Sequence, residues 1–506
     1  MRRSSILTIS AVSCALFGVA AVRLNSHSSS AEAAQLQTAP VTASAVPAEQ
    51  LKPVSATLST TTSIKPADIP QPASAPGTLL YTAKRGETIP GIAHQQLKNT
   101  AYLTSSELAD AIRGNNKNLG SSNILKAGEQ ITIPGILPAP IVEHTVPVPK
   151  DFEVRAIYLT GIMAASDHGL RIIRHWREVG GNAVVFDIKD SDGSVNIPYE
   201  HPLLGKHQVY IHDLPKFVHF LHSENMHAIA RIAIFRNERM ATEHAELAVQ
   251  SKKNHAPWRE NGKLVWTDPS NPKVQDYNIA LAKFVAQSGA DEIQFDYVRF
   301  PAEGDQKDAG FVFQTEHPTW QRSDVITDFL RRAYAELHPT GVLLSLDVFG
   351  IMAWQRSVDL SHTGQDIVGM AKYCDVLSPM IYPSHFFGMD NIEHPGDAPE
   401  HFIGESMQRF ELITKGSGVT IRPWLQAFRW RTKTYSPEYI KVQVATAKEK
   451  GGIGFLFWNA ANDYSKPYEA MPEMKASDLK AGSNPKYFRG DELPGVTVRA
   501  ALTPAN

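Results

Sequence analysis

Short runs of β-branched and aromatic residues recur through residues 153–465, separated by stretches in which apolar positions return every three or four residues. Period two followed by period 3.6, repeated, is the mark of strands joined by helices and hence of a parallel sheet. The strand-like runs lie at residues 154–161, 183–190, 228–235, 292–301, 343–350, 375–383, 421–429 and 454–460, and helices fit between them, for example at 170–179, 213–225, 272–288, 324–337 and 437–450. Eight strands in about 310 residues predict an α/β fold of the (β/α)8 barrel type, with extra length in the loops after strands two, three, four and six. A doubly wound open sheet is the alternative, but no strand here leads into a G-x-G-x-x-G turn.

Strand alternation also assigns faces. Ile293, Phe295 and Tyr297 share one side of strand four, which leaves Gln294, Asp296 and Val298 on the other. Val184, Phe186 and Ile188 form the apolar side of strand two and turn Asp187 and Lys189 inward; Leu344, Leu346 and Val348 do the same for Ser345 and Asp347 on strand five. By the same rule strand three offers Arg231, strand six Ser378 and Tyr382, and strand seven Trp424 and Gln426. Six strands thus send polar or aromatic groups into one space, mostly near their C-terminal ends, where barrel active sites lie. Taken singly, Asp187 with Lys189, or Asp296 with Arg231, reads equally well as an ion pair that fixes barrel geometry, and Trp424 and Trp458 read as core. Three inward carboxylates at one rim are harder to explain structurally, because they repel one another unless positive groups or a reaction require them.

Upstream of the barrel the pattern changes. Arg2 and Arg3 precede an apolar run at residues 6–22, an export signal that is either cleaved, with Ala31-Glu32-Ala33 as a small-x-small site, or retained as an inner-membrane anchor. Residues 24–77 are rich in Ala, Ser, Thr, Pro and Gln and read as a disordered spacer. The expected division is therefore a signal at 1–23, a linker at 24–77, a small domain at 78–135, a second linker at 136–151, the barrel at 152–470 and a tail at 471–506 without assigned function. Such a chain belongs in the periplasm or cell wall.

Composition removes several classes. With 50 basic and 52 acidic side chains and a net charge of -2, there is no electrostatic footprint for nucleic acid. The 19 histidines include no H-E-x-x-H, so neither a metal nor another cofactor is expected. Cys14 lies in the signal and Cys374 just before a strand, at the wrong barrel end for a nucleophile, and no G-x-S-x-G elbow occurs. Paired carboxylates rimmed by aromatic rings suit glycoside hydrolysis: one attacks the anomeric carbon or activates water, the other protonates the leaving oxygen, and ring faces stack on sugars.

Two resemblances give these features a context. Tyr81 to Ile89, with Ile92-Ala93, Asn115-Asn116 and Ile124 to Pro134, resembles a LysM module, a βααβ domain with a Gly-Glu-Thr turn and a closing strand that ends on Ile-Pro. The resemblance implies binding to glycans that contain N-acetylglucosamine, most often peptidoglycan. The runs FDIKD (186–190), FDYVRFP (295–301), SLDVFG (345–350), SPMIYPSHF (378–386) and GFLFWNA (454–460) are similar to those of an uncharacterised bacterial glycoside hydrolase family near the α-amylase superfamily. That likeness implies Asp296 as nucleophile, at the end of strand four, and Asp347 as acid, on strand five. Gln294 stands where the superfamily has Arg and Asp347 where it has Glu, so Arg231 or Arg299 is expected to supply the positive charge. Asp187, Lys189, Tyr382, Trp424, Gln426 and Trp458 are expected to hold a polysaccharide substrate, and Glu303 is the alternative acid. A non-catalytic carbohydrate-binding or scaffold protein is the competing class.

Overall fold

The computed structural model describes residues 77–119 and 123–479. The export signal, its anchor reading, the spacer and the end of the tail lie outside these residues. Among the described residues no helix is long and apolar enough to cross a membrane.

The small N-terminal unit is a βααβ fold. Strand β1 (Gly77–Thr82) pairs antiparallel with β2 (Gln130–Ile136), and helices α1 (Ile89–Gln96) and α2 (Ser105–Asn115) lie between them in sequence. Both helices begin on threonine caps: Thr88 accepts from Gly91 N–H and Thr104 from Glu107 N–H, each satisfying an orphan donor of the first turn. Ile92, Leu108, Ile112, Ile131 and Ile133 fill the core. Asn116 closes the unit: its amide nitrogen donates to Ile112 O (2.6 Å) and Thr132 O (2.8 Å), and its Oδ1 accepts Thr132 N–H at 2.8 Å.

The barrel strands are β3 (Val154–Leu159), β4 (Ala183–Lys189), β5 (His227–Ala233), β6 (Glu292–Asp296), β7 (Leu343–Phe349), β8 (Val376–Ile381), β9 (Thr420–Ile421 and Trp424–Gln426) and β10 (Gly454–Trp458). All pair in parallel. β10 pairs with β3, and β8 pairs with both β7 and β9, so the sheet closes as the sequence pattern predicts. Around it stand α3 (Asp167–Glu178), α4 (Leu214–Ser223), α5 (Pro272–Gln287), α6 (Arg322–Leu337), α7 (Pro399–Ile413), α8 (Pro437–Glu449) and α9 (Ser465–Leu479). Between β7 and β8 the place of a long helix is taken by short helical pieces, Gly350–Trp354, Ser357–Thr363, Ile367–Met370 and Ala371–Tyr373. Outward residues such as Val184, Phe186, Ile293, Phe295, Leu344 and Leu346 pack with the helices, while Ala156, Tyr158, Val185, Ile229, Trp424 and Leu456 fill the interior.

Two strands fall furthest short of the predicted length, each for a local reason. β6 stops at Asp296 because Tyr297 adopts a left-handed backbone, φ 54°, which turns the chain. β9 is interrupted at Arg422 and Pro423, where proline has no N–H for the ladder. Beyond β5 and β6 the long loops are tied together, since Gln250–Ser251 pairs antiparallel with Ala309–Gly310.

The closed N-terminal end, the floor, carries its own buried charges. Glu292 accepts two bonds from Arg422 Nη1, at 2.8 and 3.0 Å, and lies 3.2 Å from His227 Nε2, and all three side chains are sealed from solvent. Beside them Asp291 meets His222 at 3.0 Å, and Glu143, from the segment predicted as a linker, reaches His219 at 2.7 Å and His222 at 3.4 Å. The expected linker is thus strapped to the barrel. The βααβ unit also touches the barrel: Arg174 Nη2 meets Glu107 at 2.8 Å, the buried Lys216 ammonium donates to Leu97 O at 3.0 Å, and Leu103 packs on the barrel core.

Candidate active site

At the open end, β6 presents Gln294 and Asp296 on the face that Glu292 begins. Arg231, on the neighbouring β5, bridges outward from the centre of the cluster: Nη2 donates to Asp296 Oδ2 at 2.6 Å, Nε to the same oxygen at 3.2 Å, and Nη1 to Asp187 Oδ1. Its Nε also stands 4.0 Å from Asp347 Oδ2. Asp347, on β7, accepts at Oδ1 from Gln294 Nε2 (2.8 Å) and from Trp424 Nε1 (2.6 Å). Asp296 Oδ1 accepts the N–H of Tyr297 at 2.6 Å, so the left-handed turn after β6 also fixes the carboxylate's orientation. One guanidinium serves three carboxyl groups.

Burial, together with that imbalance, sets the protonation of the site. Asp347 is 1% exposed, and its carboxyl is held well above the ordinary range, first by burial and then by the charge of Asp296, with Arg231 and the Trp424 hydrogen bond pulling the other way. Asp187 is pushed up to about 7, again chiefly by burial, although Arg231 and the Tyr158 hydroxyl both bond to it. Asp296, at 7% exposed, is the acid nearest solvent. The buried Oε1 of Gln294 and Oγ of Ser378, the latter on the residue level with Asp347 in β8, have no hydrogen-bond partner among the described residues.

Aromatic rings wall the same space. Trp458 stacks on Tyr158 with centroids 4.1 Å apart and meets Trp424 edge-on at 5.7 Å, and Arg231 lies 5.4 Å from the centre of the Trp458 ring. Tyr382 is near enough to Asp347 and Asp296 for both charges, after burial, to raise its phenol.

Asp187, Arg231, Gln294, Asp296, Asp347, Tyr382 and Trp424 therefore come together as the alternation predicts, and Trp458 joins them beside Trp424. Four expected residues do not. The pairing of β4 on β5 slips between Asp187 and Lys189, which swings Lys189 to the helix side. There its ammonium donates to Asn278 Oδ1 (2.6 Å) and Ile234 O (3.2 Å), stands 5.2 Å from the Tyr277 ring centre, and is lowered by burial to about 7. Arg299 makes no hydrogen bond to either carboxylate; it lies over Phe349 (4.4 Å) and Trp266 (4.6 Å) and donates to Phe300 O, leaving Arg231 as the positive partner of Asp296. Gln426 braces loops, donating to Phe428 O at 3.0 Å and accepting Ser384 N–H at 3.2 Å. Glu303 sits beyond β6, half-buried, with Asn261 donating to it at 2.8 Å; burial and then the charge of Glu260 raise its carboxyl.

Sequence reading passed over Tyr158 and Glu260. Tyr158 follows Val154 and Ala156 on the inward face of β3, so alternation on the first strand would have found it. Glu260, which accepts from Trp266 Nε1 (2.9 Å) and from the Glu303 N–H (3.3 Å), sits in an aperiodic loop that offers no such signal. Among the described residues no group of three or more His, Cys, Asp or Glu side chains is placed to hold a metal ion.

A barrel with several carboxyl groups and stacked rings at its C-terminal mouth has the equipment of a glycoside hydrolase. Residues 156–464 match the family described as "Putative glycosyl hydrolase domain", and the chain belongs to that family. The barrel is accordingly a glycoside hydrolase domain. Similar solved structures include a hypothetical protein from Ruminiclostridium thermocellum, 35% identical over 38% of this chain and 97% of that one, with a TM-score of 0.34. They include also the PgaB (BpsB) glycoside hydrolase domain from Bordetella bronchiseptica, 14% identical over 63% and 99% of the two chains, TM-score 0.46. The glycoside hydrolase domain of a PelA variant from Pseudomonas aeruginosa is 12% identical over 62% and 96%, TM-score 0.36. No curated protein matches the chain.

Proposed function

We propose that the barrel hydrolyses a cell-envelope polysaccharide, with Asp296 as nucleophile or base and Asp347 as general acid. The observation that carries this reading is the unequal environment of the two groups: Asp347 is buried with its carboxyl held above the ordinary range, while Asp296 faces the mouth and takes its hydrogen bonds from Arg231 and Tyr297 N–H. A protonated Asp347 gives its proton to the leaving oxygen as the glycosidic bond breaks. The charge left on it meets donors already in place, Gln294 Nε2 and Trp424 Nε1. Asp296 either bonds to the anomeric carbon, giving retention, or takes a proton from the attacking water, giving inversion. Trp458 and Tyr382 form sugar-binding walls.

The test is Asp296→Asn, which is expected to lower release of reducing ends from envelope polysaccharide by several orders of magnitude with an unchanged melting temperature. Undiminished turnover excludes the assignment. Glu303 is the second candidate for acid, favoured by its raised carboxyl beside Glu260. Under an activated leaving group, the variant of the true acid regains activity and the other does not, so Asp347→Asn and Glu303→Gln separate the two.

Residues 78–135 act in this reading as a LysM module for N-acetylglucosamine-containing glycan, supported by the βααβ fold and the Gly-Glu-Thr turn. Residues 6–22 direct export and, if uncleaved, hold the protein at the inner membrane. Sedimentation of the full chain with purified peptidoglycan sacculi, lost on deletion of residues 78–135, tests the tether.

A further inference from the structure

One side of the mouth is bordered by rings from the loops after β8 and β9, and these continue away from the carboxyl groups. Tyr382 lies 5.4 Å from His385 and 5.6 Å from Phe428, centre to centre. His385 lies 4.8 Å from Trp430, and Trp430 5.9 Å from Phe387. The strip ends on the guanidinium of Arg431, 3.9 Å from the centre of Phe387 and 4.6 Å from that of Trp430.

The loop that carries Arg431 is held in shape. Asp397 Oδ1, from the loop after β8, accepts from Thr432 Oγ1 (2.7 Å), Lys433 N (2.7 Å), Thr434 N (3.3 Å) and Thr434 Oγ1 (3.2 Å), which ties it to the loop after β9 that carries Arg431. Gly396 lets the two loops close, because a Cβ there would fall 2.1 Å from Arg431 O. Arg431 itself is exposed with a left-handed backbone, φ 48°, and among the described residues no carboxylate pairs with it. Arg429 and Lys433 beside it are exposed too. A guanidinium stacked on ring faces keeps its N–H edge free, in the fork geometry that matches two oxygens of a carboxylate or phosphate. A merely solvated arginine needs neither the two rings nor the braced loop.

We propose that this strip is a substrate groove and that Arg431 recognises an acidic group, a carboxylate or a phosphate, carried by the glycan chain away from the bond to be cleaved. The inference rests on the reading of the barrel as a polysaccharide hydrolase and specifies its substrate class as an acidic glycan. The rings stack on successive sugars and the guanidinium sets the register of the chain.

The test uses the full chain carrying Asp296→Asn, so that bound glycan survives, and titrates three acidic probes, each against a neutral counterpart. The probes are oligogalacturonate against its methyl ester, a strand of N-acetylglucosamine and N-acetylmuramic acid against a chitooligosaccharide, and a phosphorylated oligosaccharide against its dephosphorylated form. At least one acidic probe is expected to bind about tenfold more tightly than its counterpart, the scale of one charge-assisted hydrogen bond, with the preference shrinking as salt is added. Adding Arg431→Gln should erase that ratio, while Arg431→Lys should keep part of it. The acidic probe preferred identifies the source of the charge. Equal binding within all three pairs, or a preference that survives Arg431→Gln in a protein of native melting temperature, overturns the inference. Hydrolysis of the same probes by the unaltered chain is measured separately: cleavage without charge preference removes only the groove, and charge preference without cleavage removes only the hydrolase reading.

Discussion

The barrel holds two buried clusters of charge, one at its floor and one at its mouth, and the same strand feeds both. Glu292 opens β6 and Asp296 closes it, on one face, with Gln294 between them. At the floor, acid and base are matched: Arg422 and His227 bracket Glu292 and lower its carboxyl to about 2 against the cost of burial. At the mouth, Arg231 is shared among Asp187, Asp296 and Asp347, and two of those carboxyls are pushed upward. Burial is similar at the two ends; the ratio of charges is not. A matched buried pair fixes geometry, whereas an unmatched set keeps a proton in the site, which acid–base chemistry needs.

The sharpest way to break this comparison is to remove one carboxylate from each end. Asp296→Asn should abolish nearly all turnover and leave melting almost unchanged. Glu292→Gln should do the reverse, costing about 3–5 kcal/mol of stability because Arg422 is left buried without its partner, with activity per folded molecule retained. Assays of turnover and denaturant unfolding on both variants give the contrast, and equal loss of activity from both would erase it. A smaller effect is expected from replacing the floor pair together. Glu292→Leu with Arg422→Met should recover most of the stability lost by Glu292→Gln, as apolar replacement of a complete buried pair is commonly neutral. A double variant no more stable than the single one would mean that the floor charges do more than balance each other.

The smallest effect lies in pH dependence, where the two ends have opposite signs. Glu292 has a folded value near 2, below its ordinary 4.5, so its contribution is fully present above 4.5 and is lost as pH falls toward 2. Asp187 has a folded value near 7, above its ordinary 3.8, so it stays protonated in the folded chain while the unfolded chain ionises, and stability declines as pH rises from 3.8 toward 7. Relative to wild type, Glu292→Gln should show a shallower loss on the acid side, and Asp187→Asn a shallower decline between pH 4 and 7. Thermal melts across pH 2–8 read both slopes.

Much of this is legible in the chain itself. Period-two alternation located the eight strands and turned Asp187, Arg231, Asp296, Asp347 and Trp424 inward, because a closed sheet has only two faces. It failed where a strand departs from regular pairing. The slip beside Asp187 sends Lys189 to the helix layer, and the left-handed Tyr297 ends β6 earlier than its apolar content suggests. Arg422 escaped notice because it falls in the break of β9, where alternation has no meaning. Glu260 and Arg431 sit in loops whose shapes are set by tertiary contacts, and no local period marks them. The alternation rule therefore reads the mouth's inner wall and is blind to its rim.

The strap beneath the barrel has a mechanical consequence. Before the chain enters β3 it is clipped to the floor three times, by Glu143 to His219 and His222, by Thr145 Oγ1 to Ala290 O at 2.8 Å and by Val146 N to Asp291 Oδ1 at 2.8 Å. Tension on this segment thus reaches the end of α4 and the residues just ahead of β6 before it reaches β3. The ladder of β3, which carries Tyr158 into the mouth, is left unstressed until those clips give way.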